Sequence, residues 1–125
     1  MKFTVHYDPE SRHLVARLIG ALDKKTIGQY ARAIVQAGTE HNCKNLLNDI
    51  SQVKVDLSVA DIFFLPELLD SVGIDSTWKR AVVTRGNHDI FRFLETRMIN
   101  ESHPVKIFQD QEAAVTWLSS GGEDD

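Results

Sequence analysis

The sequence predicts a single α/β domain: a mixed sheet of about five strands, with an antiparallel opening hairpin, the remaining strands parallel, and about four helices. Two strand-like runs near the N-terminus, FTVHY and HLVARLIG, are separated by a proline-containing turn, DPES. Beyond them strand-like and helix-periodic segments alternate, and such alternation calls for parallel pairing through right-handed crossovers. The length of 125 residues suits one hydrophobic core.

In FTVHY, a period of two places Phe3, Val5 and Tyr7 on one face. Asp23 is expected to cap a helix from Lys24 to Glu40, whose Ile27, Tyr30, Ala31 and Ile34 recur as one helical stripe, with Gly38 as a stop signal. KNLLNDI reads as a buried strand that leaves Asn48, Asp49 and Ser51 near its C-terminal end. An apolar helix follows over 58–72, and WKRAVVT supplies the next strand. In RGNHD, Gly86 permits a tight turn and Asn87 can cap the helix IFRFLETRMIN. Pro104 breaks the chain before a last strand, VKIF, and a last helix, DQEAAVTWL. The domain is thus expected over residues 1–118, and the polar, acidic residues 119–125 are expected to form a disordered tail.

Composition narrows the function classes. Hydrophobic residues make up 42% and charged ones 26%, as in ordinary globular domains. The single cysteine, Cys43, excludes an internal disulfide and favours a reducing compartment. The N-terminus has no apolar signal region, and no run approaches the 18 apolar residues of a membrane span. The expected location is cytoplasmic, peripheral at the membrane at most. A net charge of −4 argues against nucleic acid as a partner. Six bases and three acids lie between Lys79 and Lys106, too dispersed to form a strong anionic docking patch.

The pieces LLNDIS, DLSVADIFFLPELL, WKRAVV and the closing VKIFQDQEAAVTWL, in this order after an antiparallel hairpin, carry a resemblance. The chain resembles the SpoIIAA-like proteins, bacterial relatives of anti-sigma-factor antagonist (STAS) domains and, more distantly, of CRAL-TRIO lipid-binding domains. The likeness covers residues 2–118. In the phosphoregulated antagonists a phosphorylatable serine lies in an Asp-Ser-Ser-Gly sequence at the start of the second helix. The corresponding stretch here is VDLSVAD, in which Ser58 stands without a second serine or the glycine. Ser58 with Asp61 also reads as a capping box.

The stretch VADIFFLPELLDSVGI is more apolar than one contact face requires. On a single helix its apolar residues would spread well beyond the stripe of about 100° that packs on a sheet. Pro66 inside it would remove a hydrogen bond and kink or restart the helix, at a cost of about 3 kcal/mol if it stayed continuous. Ile62, Phe63, Phe64, Leu65, Pro66, Leu68 and Leu69 are therefore the candidate surface for an apolar ligand, a membrane or an interface, including a homodimer interface. The CRAL-TRIO resemblance implies a helical gate over an apolar pocket and points the same way.

Catalytic and metal chemistry find little support. The five histidines lack ligand spacing, Cys43 has no second cysteine, and no phosphate-binding glycine motif or nucleophile elbow is present, so neither a metal nor a cofactor is expected. One polar constellation stands out at the expected carboxyl ends of two strands: Asn48, Asp49 and Ser51, then Thr84, Arg85, Asn87 and His88. Arg85 beside a helix start could hold an anion or polar headgroup. The resulting expectation is a non-enzymatic binding protein that takes an apolar or amphiphilic ligand or a membrane surface through a mobile helix 58–72. The alternative is a regulatory protein–protein module of the anti-sigma-factor antagonist type, switched by phosphorylation at Ser51 or Ser58. A small-molecule enzyme using Asp49, Arg85 and His88 ranks third.

Overall fold

Alternating apolar residues cover one side of β1 (Lys2–Asp8), where Phe3, Val5 and Tyr7 are half-buried against the core in a computed structural model that describes residues 2–86 and 89–120. The Asp8 carboxylate accepts the backbone N–H of Glu10 (3.0 Å) and closes the turn into β2 (His13–Leu22). The two strands pair antiparallel, with Lys2 opposite Ile19 and Asp8 opposite His13. After α1 (Lys24–His41) come β3 (Asn45–Val55), α2 (Val59–Phe63), α3 (Leu65–Val72), β4 (Lys79–Val83), α4 (Asp89–Asn100), β5 (Val105–Phe108) and α5 (Gln111–Leu118). The sheet has the spatial order β1-β2-β3-β4-β5, and every pairing after the hairpin is parallel. The expected order of elements is found, with one helix more.

The extra helix arises in the apolar stretch 58–72, where the chain restarts next to Pro66, one of the two outcomes that the proline allows. The backbone breaks at Phe64, with φ −93° and ψ 3°, and Pro66 falls on the second position of α3. The first amides of a helix have no intrahelical partner, so the missing N–H of Pro66 disrupts nothing and its expected penalty disappears. The break at Phe64 divides the excess apolar residues of a continuous helix between two short ones.

Adjacent residues of β3 and β4 point to opposite sides and build two cores. Leu46 and Val82 join the larger one with Ile27, Tyr30, Ala31 and Ile34 of α1, the stripe expected from periodicity. Leu47, Ala81 and Val83 pack against Ala114 and Leu118 of α5 on the other side. Asp23 caps α1 as expected, accepting from the backbone N–H of Thr26 (2.8 Å). Gly38, however, is not the stop signal: α1 continues to His41 and ends at Asn42, which takes the left-handed conformation with φ 50°.

The edge strand β5 is protected from pairing with another chain. The carboxylate of Glu95 accepts the Ile107 N–H (2.8 Å), and the Val105 N–H is turned back onto the His103 carbonyl (2.9 Å). At the C-terminus α5 is closed by Ser119 and Ser120, the latter donating to the Trp117 carbonyl (2.7 Å). The remainder of the expected tail, 121–125, lies outside the described residues.

Candidate functional site

Ser58 opens α2 with a complete capping box. Its hydroxyl accepts the Asp61 N–H and the Asp61 carboxylate accepts the Ser58 N–H, both at 3.0 Å. Such a cap contributes about 1 kcal/mol. Ser58→Ala is therefore expected to lower stability by about 1 kcal/mol in urea unfolding, whereas Ser58→Asp retains most of it, since aspartate caps comparably.

The short helix sorts its apolar residues sharply. Ile62 is 1% exposed and anchors the element, whereas Val59, Phe63 and Phe64 are exposed. Of the other residues in the predicted surface, Leu65 and Pro66 are buried, and Leu68 and Leu69 are half-buried against the core. Phe63 and Phe64 meet edge to face at 5.2 Å. The guanidinium of Arg97 lies over the Phe63 ring at 4.4 Å, and its Nε donates to the Phe63 carbonyl (2.8 Å). The remaining nitrogens of Arg97 donate to Glu101 (2.7 Å) and Glu67 (3.4 Å). Arg97 thus ties α2 and α3 to α4 through several modest contacts, each worth about 0.5–1 kcal/mol at an exposed site. Phe93, four residues before Arg97 on α4, extends this aromatic face.

The second predicted site is divided by the sheet. Because β3 runs on to Val55, Asn48 and Asp49 lie in mid-strand instead of at its end, and strand alternation sends them to opposite faces. Asn48 accepts from the Tyr30 hydroxyl at 2.5 Å on the larger-core side. Asp49 accepts from Arg17 Nε (3.1 Å), the Ser51 hydroxyl (2.6 Å) and the Ser51 N–H (3.0 Å). Burial would raise the Asp49 pKa, but Ser51 and the Arg17 charge together hold it below the ordinary carboxylate range. Between Asp49 and Gln52 the register with β2 slips, so β3 carries a bulge at Ile50 and Ser51. Ser51 and Arg85 do come together along one groove of about 440 Å³, with Lys54 and Ile90. Thr84 is buried and lines a different groove, beside Arg92 and Gln109. Gly86 takes the expected turn with φ 79°; Asn87 and His88 lie outside the described residues.

A third polar group had no signal in the sequence. Arg80 and His103 are 5% and 3% exposed, and Arg80 Nη2 meets His103 Nδ1. His103 Nε2 lies 3.1 Å from a carboxylate oxygen of Asp70 on α3. Since Arg80 can only donate, Nδ1 accepts, and the imidazole proton sits on Nε2 and is given to Asp70. Burial, reinforced by the Arg80 charge, lowers the His103 pKa and keeps the ring neutral at neutral pH. Positions 70, 80 and 103 belong to separate segments, so no local motif could join them. Among the described residues no cluster of three or more histidines, cysteines or acids is arranged to hold a metal ion, and no helix is long and apolar enough to cross a membrane. Cys43 is buried, with Sγ facing the backbone carbonyls of Asn45 (3.5 Å) and Arg12 (3.7 Å).

The chain is similar to a solved structure from Shewanella loihica PV-4, an uncharacterised protein of the DUF3478 family with a SpoIIAA-like fold. It matches with a TM-score of 0.63 at 16% identity over 94% of this chain and 92% of that one. The chain has the SpoIIAA-like fold. The anti-sigma-factor antagonist SpoIIAA in its unphosphorylated form also matches, with a TM-score of 0.52 at 14% identity, over 95% of this chain and 99% of that one. No protein-family model and no curated protein matches the sequence. Neither of these two structures is named as a CRAL-TRIO domain.

Proposed function

We propose that this chain is a regulatory protein-binding module that docks a partner protein through the aromatic face of α2 and α4. The observation that carries the reading is the pair Phe63 and Phe64, 48% and 60% exposed at the end of a capped helix and held there by Arg97. Aromatic residues beside an arginine are the usual anchors of protein interfaces. The likeness to SpoIIAA, named as an anti-sigma-factor antagonist, supports a protein partner over a catalytic role. Ser58 sits at the head of the same helix, so a phosphate there would change the charge beside the docking face and serve as its switch.

The expected apolar or amphiphilic ligand draws less support from this surface. Ile62, Leu65 and Pro66 are committed to the core and cannot also line an open gate. A membrane contact through Phe63 and Phe64 is the competing use of the same face. The test is affinity capture of the wild type and of Phe63→Ser/Phe64→Ser, followed by titration of the purified partner. We expect loss of about tenfold or more in affinity, the size of an interface hot spot, with an unchanged urea midpoint. Equal binding by both proteins sinks the docking face. Vesicle flotation of the wild type, abolished in the double variant, would reassign the face to a membrane, and a concentration-dependent dimer in light scattering would make the partner a second copy.

A further inference from the structure

An apolar cavity of about 100 Å³ lies between the sheet and helices α1, α3 and α4. Ala31, Leu46, Leu69, Val82 and Met98 form much of its wall, and Arg80 is part of it. A cation is unusual in such a wall. Among the described residues no carboxylate lies within 4.0 Å of the Arg80 guanidinium. The nearest compensating charge, Asp70, is one imidazole away through His103. Arg80 Nε is buried and has no hydrogen-bond partner among the described residues. An unpartnered donor on a buried cation is costly, and a carboxylate matches it best.

We propose that this cavity binds a small monocarboxylate with a short apolar tail, its carboxylate on Arg80 and its tail among Leu46, Leu69 and Met98. Burial lowers the Arg80 pKa to about 10, which leaves the guanidinium charged at neutral pH and able to hold an anion. The apolar remainder of the wall favours a hydrocarbon group over further polar atoms. Size limits the tail. A cavity of about 150 Å³ holds the six heavy atoms of a benzene ring, so one of about 100 Å³ suits about four, a ligand the size of acetate, and excludes a long acyl chain. The site uses none of the exposed aromatic residues and is independent of the docking face.

The probe is sodium acetate, titrated into the full chain and followed by amide chemical shifts. Saturable shifts are expected in α1, α3 and β4, with neutral acetamide binding about tenfold more weakly because it cannot accept a charged bidentate contact. Arg80→Leu/His103→Leu should remove the preference for acetate over acetamide; it takes away the buried cation together with its acceptor and so leaves neither unsatisfied. Ala31→Leu, which fills the cavity and leaves Arg80 in place, should abolish binding of both. Equal affinity for acetamide and acetate, or no saturable shift with the wild type, overturns the proposal without recourse to any variant. Octanoate binding more tightly than acetate overturns the short-tail assignment.

Discussion

His103→Leu is expected to lower folding stability by about 3 kcal/mol, because it leaves a donor of a buried, charged arginine without its acceptor. The imidazole of His103 stands between Arg80 and Asp70, accepting from one and donating to the other, so its loss strands the buried Arg80, whereas the Asp70 carboxylate is exposed to solvent. Leucine fills similar space, which separates this effect from a simple cavity. The double variant Arg80→Leu/His103→Leu should recover most of the loss, since replacing both partners of a buried hydrogen bond by apolar residues leaves no unsatisfied donor. Urea unfolding of the four proteins in the cycle decides the matter. A single-variant cost below about 1 kcal/mol, the ordinary effect of a point mutation, would mean that Arg80 finds its stabilisation elsewhere.

The same group gives a pH dependence with a definite sign. The folded-state pKa of His103 lies below its ordinary value of 6.5, as does that of buried His13. Between the two values the unfolded chain binds more protons than the folded one, so stability rises with pH. The contribution is complete above pH 6.5 and is lost as pH falls through the depressed folded values. Unfolding midpoints measured from pH 7.5 down to pH 5 should therefore decline, and more gently in His103→Leu than in the wild type.

Gly38→Val is expected to cost about 3 kcal/mol, at the upper end for overpacking a full core. A Cβ at position 38 would lie 2.6 Å from the indole of Trp78 and 2.8 Å from the Cys43 carbonyl oxygen. Neither obstacle can withdraw. The indole is 2% exposed in the core, and the carbonyl belongs to the backbone just before β3. Valine gains little helix propensity over glycine, so nothing offsets the collision. Pairing the change with Trp78→Leu makes room and should restore part of the loss relative to Trp78→Leu alone. If Gly38→Val unfolds at the wild-type urea midpoint, the close approach of α1 to Trp78 is wrong.

The proposed docking face was only partly legible before the fold was known. Phe63 and Phe64 were conspicuous because two aromatic residues rarely sit together on a helix that ought to be half polar. Their neighbours were misleading: Ile62, Leu65 and Pro66 look equally available in a linear reading, yet they are buried once the chain turns at Phe64. The polar constellation is divided for a related reason. Asn48, Asp49 and Ser51 are close in sequence, but a strand sends successive side chains to opposite faces and a bulge shifts the register after Asp49.

By itself the sequence determined the order of strands and helices, the antiparallel hairpin, the caps at Asp23 and Ser58 and the apolar stripe of α1. These depend on interactions within a few residues: side-chain period, a turn, a hydroxyl or carboxylate reaching an amide two or three positions ahead. Only the tertiary structure decided that Gly38 is a packing residue rather than a helix stop, since the reason is an indole forty residues away. Only it joined Arg80, His103 and Asp70 beside an apolar cavity. Contacts of that range are selected by how whole elements pack, and a single sequence carries no local mark of them.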